Sequence, residues 1–211
     1  MAPKSQIPPP EAFFKAAQDP AGWLTTAERL AEAAEGIVSS QDALKEGYQR
    51  AYEAAESELE ASHDGIVEIG HREPNYLPPG MLYGFAIENA LKGLIIAKGG
   101  ASVSEKKIDP KIKTHNLVSL ATDAGIALDD NEREVLATIS MLAEWAGRYP
   151  VPAKLTHKYK RFARMGTVTN EVLGPNRLEV VRGFFNCAKA KLEAAAGGPR
   201  ARFDVLVRVP D

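Results

Sequence analysis

Apolar residues recur at intervals of three and four along most of the chain, the period of a helix that buries one face. In "TTAERLAEAAEGIVSSQDALKEGYQRAYEAAESELEAS", Leu30, Ala33, Ala34, Ile37 and Val38 keep that spacing. Thr25 with Glu28 forms a capping box at its head. Its Ala and Glu content favours helix throughout, with Gly36 and Gly47 as expected breaks. "HREPNYLPPGM" carries Pro74, Pro78, Pro79 and Gly80 and reads as a connection. "YGFAIENALKGLI" then predicts a long apolar helix to about Lys98, stopped by Gly99 and Gly100.

The loop "SEKKIDPKIK" follows, and Thr114 is expected to cap a short helix, "HNLVSLATDAG", that Gly125 ends. Asp129 or Asp130 caps the next helix, with Val135, Leu136, Ile139, Leu142, Ala143 and Trp145 on one face and Pro150 and Pro152 closing it. Asn176 with Glu179 opens the last long helix, which passes through Val180, Val181, Phe184, Phe185, Cys187 and Leu192 to Gly197 and Gly198. Beyond it, "RFDVLVRVP" alternates in the period of a strand, which either pairs with a second chain or stays a loose tail. No internal repeat is evident. The pattern predicts an all-α protein, a four- to five-helix up-and-down bundle with a short C-terminal extended or β tail. Its expected divisions are a flexible Pro-rich leader over 1–20, the bundle over 21–198 and the tail over 199–211.

Composition adds limits. With 211 residues, 45% hydrophobic and 26% charged, the chain reads as one ordinary soluble domain able to bury a core without staples. The lone cysteine, Cys187, excludes an intramolecular disulfide framework, and within "FFNCAKAKL" it is expected to be a small buried thiol. No signal-like segment opens the chain and no 18-residue apolar run interrupts it, so a cytoplasmic protein without a membrane partner is expected. The net charge of −2 conceals a division. Residues 1–75 hold six Lys or Arg against fourteen Asp or Glu, and residues 76–211 hold twenty against fourteen. An acidic half and a basic half can meet across a dimer, or the basic half can meet a polyanion.

Within the most apolar helix, Glu88 and Lys92 stand on one stripe with Phe85 and Ile95. Glu preceding Lys by four is the favourable order for a pair. Exposed, such a pair contributes only about 0.3–0.5 kcal/mol. Buried, it must offset a desolvation cost of several kcal/mol, and apolar residues would often stabilise as well, so burial points to specificity or function. The expectation is a helix facing other helices, with the pair joined to itself or to a neighbour such as Arg148.

The segments "FAIENALKGLIIAKG", "THNLVSLATDAGI" and "EWAGRYPVP" occur in that order, each at a helix or a helix end. This succession resembles the HEPN family of helical-bundle proteins, over about residues 25–195. A Glu-x-x-x-Lys helix, a His-x-Leu segment opening the next helix and a later polar helix recur in that family. The resemblance implies a symmetric dimer of four- to five-helix bundles. It also implies one of two roles: an endoribonuclease of toxin–antitoxin or defence systems working without metal, or a relative that binds ligands, nucleotides or an antitoxin-like protein partner. The family's nuclease signature sets four to six residues between Arg and His. Here Arg148 precedes His157 with eight residues between, and Pro150 and Pro152 intervene, so the pair departs from the signature. Arg148 and His157 are nonetheless the catalytic candidates, Arg148 to clamp a phosphate and His157 to move a proton.

The stretch "RYPVPAKLTHKYKRFAR", Arg148 to Arg164, contains no Asp or Glu. Read as a helix from Ala153, it sets Leu155, Tyr159 and Phe162 on one face and Lys154, Lys158 and Arg161 on another. A basic ridge with an apolar anchor suits phosphate contact, and an exposed Tyr159 can stack a base; the same pattern also describes any amphipathic surface helix. Lys154, Lys158, Tyr159, Arg161 and Arg164 are therefore the binding candidates. His115, at a helix start beside Thr114, is either a ligand or base or, by expectation, a local hydrogen-bonding residue. His63, Asp64, Glu68 and His71 invite a metal reading that Gly65 and Gly70 weaken, and no metal or cofactor is expected. No Walker loop, dinucleotide glycine fingerprint or nucleophile elbow is present. The expected function is a dimeric RNA-, nucleotide- or partner-binding module in a bacterial defence or stress system. The alternatives are an endoribonuclease using Arg148 and His157, and a scaffolding protein that makes no nucleic-acid contact.

Overall fold

The computed structural model describes residue 14 and residues 17–62, 66–104, 107–143 and 174–197. Among them are five α-helices: α1 (Pro20–Ser62), α2 (Leu77–Ala97), α3 (Leu117–Asp123), α4 (Asp130–Met141) and α5 (Pro175–Ala195). The only strands described, Val103–Ser104 and Lys107–Ile108, form a two-residue antiparallel ladder between α2 and α3, followed by a 3₁₀ turn over Pro110–Ile112. The protein is an all-α helical bundle, as the pattern predicted.

α2 is the axis of the bundle because it has no polar face. Buried residues run almost without interruption from Tyr83 to Ile96, and α1, α5, α3 and α4 all pack on it. It is the one described helix long and apolar enough to cross a membrane, and 72% of that apolar window is buried by its own neighbours. Two glycines let the packing close. A Cβ at Gly84 would lie 2.5 Å from Ile139 Cγ2 in α4, and one at Gly93 would lie 2.7 Å from Trp23 Cβ in α1.

The helix starts differ from the sequence expectation in three places. α1 begins at Pro20, where Asp19 Oδ1 accepts from the Ala21 amide at 3.1 Å, so Thr25 and Glu28 lie inside the helix and form no capping box. Proline at the first helical position is already shaped for the helix, which moves the start forward. The same holds for α5, which opens at Pro175 after Gly174 and not at Asn176. In α3 the cap is Asn116, whose Oδ1 accepts from Ser119 at 3.1 Å, while the Thr114 hydroxyl braces Asn116 from upstream at 3.0 Å. The Asp129 expectation holds with a full capping box to Glu132.

Gly36 and Gly47 do not break α1. Each costs about 1 kcal/mol against Ala, too little to interrupt strong helix formers on both sides. At 43 residues α1 is about 65 Å long, twice the reach of α2 or α5. After Val38 no described residue of α1 is buried.

At the other end, Phe14 and Ala17 pack partly buried against the core. The rest of the expected leader through residue 13, the basic ridge and the C-terminal tail lie outside the described residues.

Candidate functional site

Glu88 and Lys92 occupy the buried centre of α2. Lys92 Nζ donates to Glu88 Oε1 at 2.6 Å, and each side chain is 9% exposed. Glu88 and Lys92 are joined to each other and enclosed by helices, and Arg148, the other partner the sequence suggested, lies outside the described residues. The third member is His115, whose Nδ1 stands 3.0 Å from Glu88 Oε2 and 3.1 Å from Oε1.

His115 owes its position to how α3 starts. The Asn116 cap fixes the first turn. The Leu117 amide donates to Ser140 Oγ on α4 at 2.9 Å, and that hydroxyl donates on to Leu136 O at 2.7 Å. The backbone just after His115 is thus tied to a second helix. Sequence reading assigned His115 a local bond; the local bond belongs to Thr114 instead, and His115 reaches across to Glu88.

The trio is graded from inside to outside. Two opposite charges lie buried, and the imidazole beside them is 45% exposed. Paired with the Lys92 ammonium, the Glu88 carboxylate is an acceptor only, so His115 Nδ1 carries the hydrogen and donates it. In the neutral ring Nε2 is then the lone-pair nitrogen, and among the described residues it has no hydrogen-bond partner. No buried side-chain polar atom among the described residues lacks a partner, so the pair is satisfied as well as enclosed.

A second polar cluster pins α1, α2 and α5 together. Arg182 grips Glu35 with both arms of its fork, Nε to Oε1 at 2.6 Å and Nη2 to Oε2 at 2.7 Å, while Nη1 reaches Glu179 at 2.6 Å. Tyr83 donates its hydroxyl proton to Glu35. The Arg182 hydrogen bond outweighs burial and holds the Glu35 carboxyl below its usual range, and Glu35 raises Arg182 in return. Burial first, and then Glu35, pushes Tyr83 up to about 12. Tyr76, bonded to Asp42 at 2.6 Å, is likewise pushed up to about 12, mainly by burial.

Two open grooves flank Arg182. One of about 680 Å³ lies between the second half of α1 and the start of α5, and one of about 530 Å³ lies toward Glu28 and Lys189. All three guanidinium nitrogens of Arg182 are engaged, so this cluster reads as a clamp between helices. Sequence reading did not find it, because Glu35 and Arg182 are 147 positions apart and neither stands in a motif.

Of the remaining expectations, Arg148, Lys154, His157, Lys158, Tyr159, Arg161 and Arg164 lie outside the described residues. So do His63 and Asp64. Glu68 and His71 are exposed, and no group of three metal-ligating side chains occurs among the described residues. Cys187 is exposed, not buried as expected, because the α5 face that carries Phe184, Ala188 and Leu192 inward turns it outward. Compared with known proteins, the sequence matches no family model, no curated protein and no solved structure.

Proposed function

We propose that this chain is a HEPN-like helical protein that binds RNA or nucleotides, acting as a homodimer in a bacterial toxin–antitoxin or defence system. The observation that carries this reading is the enclosed Glu88–Lys92 pair with His115 on its outer side. These are the residues of the Glu-x-x-x-Lys and His-x-Leu segments on which the family resemblance rests, and they come together from two different parts of the bundle. Such a pair adds little stability over apolar residues of the same shape, which favours a role in recognition. The acid-free basic stretch from Arg148 to Arg164 supplies phosphate contacts, with Tyr159 to stack on a base.

The test is a titration of labelled RNA over a range of salt. Binding that weakens linearly on a logarithmic salt axis is expected, and the slope should fall by about one for each phosphate-contacting cation removed, as in Lys158→Ala or Arg161→Ala. RNA that fails to bind even at low ionic strength would remove the reading. Light scattering at micromolar concentration should return the mass of two chains.

A further inference from the structure

We propose that the segment returning from α1 to α2 is a strand-docking edge, filled by the alternating C-terminal run of a second copy of this chain. Two copies are part of the function proposed above. The residues that join them and the exchange of a tail go beyond it, and neither needs RNA.

The receiving edge is residues 66–72, "IVEIGHR". The Asn75 amide donates to Gln41 Oε1 at 2.8 Å, and a Cβ at Gly47 would lie 3.5 Å from His71 Nδ1, so this segment runs back along α1. Ser62 ends α1 21 residues beyond Gln41, about 32 Å of helix. The 13 residues from Ser62 to Asn75 cover that distance in return, about 2.4 Å each, too far for a helix and within reach of an extended chain.

Exposure alternates as in a strand, with Ile66, Glu68 and Gly70 exposed and Val67 and Ile69 partly covered. Ile66, Val67 and Ile69 are β-branched, a type that favours strands. Yet among the described residues no hydrogen bond joins a backbone group of 66–72 to any other residue. An open backbone row beside a fully exposed Ile66 is the feature by which an edge takes up another strand.

The C-terminal run matches it. Aligned antiparallel with Glu68 opposite Arg208, the segments set Val67 against Val209, Ile69 against Val207, Gly70 against Leu206 and Arg72 against Asp204. Both charges of the edge thus meet opposite charges on one face, while valines meet Val67 and Ile69 on the other. No other antiparallel register pairs both charges. A parallel tail over the same residues sets Glu68 against Asp204 and Arg72 against Arg208, like against like.

The tail comes from a second copy because a chain's own tail falls short. Lys189 bonds Glu28 at 2.9 Å, and a Cβ at Gly93 would touch both Leu192 and Trp23, so α5 ends beside the start of α1. From Trp23 to Gly47, next to His71, α1 rises about 36 Å. Asp204 follows Gly197 by seven residues, about 24 Å at full extension. A two-fold pair of chains lays each tail on the other's edge.

Cysteine pairs in the full chain test this, in a Cys187→Ser background that leaves no other thiol. Opposed residues of an antiparallel pair stand about 4.5–5.5 Å apart at Cα, within disulfide reach. Ile69→Cys protein mixed with Val207→Cys protein and oxidised should give two linked chains on a nonreducing gel, and Ile69→Cys with Leu206→Cys should not. Placed in one chain, the Ile69→Cys and Val207→Cys pair should also link two chains; an internally linked single chain would overturn the exchange. Glu68→Arg and Arg208→Glu should each weaken self-association about tenfold by light scattering on dilution, because the like charges meet twice per pair of chains. The double variant should restore it, with circular dichroism confirming unchanged helix content. Links as frequent at Leu206 as at Val207, or a charge swap that restores nothing, would overturn the proposal. A dimer without the 69–207 link would overturn it alone. A monomeric wild type would remove it together with the dimer proposed above and leave RNA binding to its own titration.

Discussion

Glu88 and His115 stand 27 positions apart and meet with both carboxylate oxygens within 3.1 Å of one imidazole nitrogen. Glu88 spends its other strong contact on Lys92, one turn along the same helix. A single buried carboxylate thus joins a buried cation to a half-exposed ring, and its buried side leads to the first prediction.

On the buried side, removing one ion should cost more than removing both. Glu88→Gln leaves the Lys92 ammonium 9% exposed and without its counter-ion, and Lys92→Met does the converse to Glu88. Each single change should lower the unfolding free energy by about 3–5 kcal/mol. The double variant should recover much of that loss, since neither side chain then carries a charge to desolvate. Urea unfolding of the four proteins, read as a double-mutant cycle, gives the coupling. Additive losses would mean that the two side chains do not act as a pair.

The Arg182 clamp predicts an acid limb. Glu35 is held below its ordinary value near 4.5, so the native state binds this proton less readily than the unfolded chain does. The stability it contributes is complete above about pH 4.5 and is lost as pH falls through the lower folded value. Wild type should therefore lose more stability than Glu35→Gln as pH is taken from neutral into the acid range. The carboxylate is 44% exposed, so the effect should be modest and should shrink in salt. Urea midpoints across that range, for both proteins at two salt concentrations, provide the check.

Tyr83 predicts the opposite limb. Its hydroxyl is pushed from an ordinary value of 10 up to about 12, so the native state holds the proton more tightly than the unfolded chain. That contribution is full below pH 10 and declines as pH rises through about 12. The advantage of wild type over Tyr83→Phe in urea midpoint should be constant to about pH 10 and narrow above it. An advantage that widens with alkali would contradict the donation from Tyr83 to Glu35.

Much of this was legible in the sequence, and the reasons for the exceptions are physical. The five described helices follow the three-and-four spacing, because burial of one face decides both the pattern and the packing. The enclosure of Glu88 and Lys92 was readable from the apolar run around them. The His115 contact was not, since its path to Glu88 depends on how the Asn116 cap and Ser140 set the angle of α3. The Glu35–Arg182 clamp left no local trace, because contacts between α1 and α5 depend on tertiary placement and not on spacing. The two proline starts were misread because a good capping residue downstream outweighed a proline already suited to the first turn.

The glycines of the long helices offer the sharpest contrast, since the same substitution should act in opposite directions. Gly36 lies in the interior of α1, exposed, and a Cβ there would meet nothing within 4 Å. Gly36→Ala removes backbone freedom from the unfolded chain and strains nothing in the folded one, so it should stabilise by about 0.5–1 kcal/mol. Gly84 is buried in α2, where a Cβ would stand 2.5 Å from Ile139 Cγ2, closer than two carbons can approach. Either α4 moves outward or Ile139 leaves its rotamer, and Gly84→Ala should destabilise by about 1–3 kcal/mol. Shortening the opposing side chain separates this clash from any intrinsic effect of alanine. In an Ile139→Ala background the added methyl has room, so Gly84→Ala should become neutral or stabilising. Thermal and urea unfolding of the two single variants and the double variant decides it, and a Gly84→Ala penalty that persists in the Ile139→Ala background would place the strain elsewhere than at the α2–α4 contact.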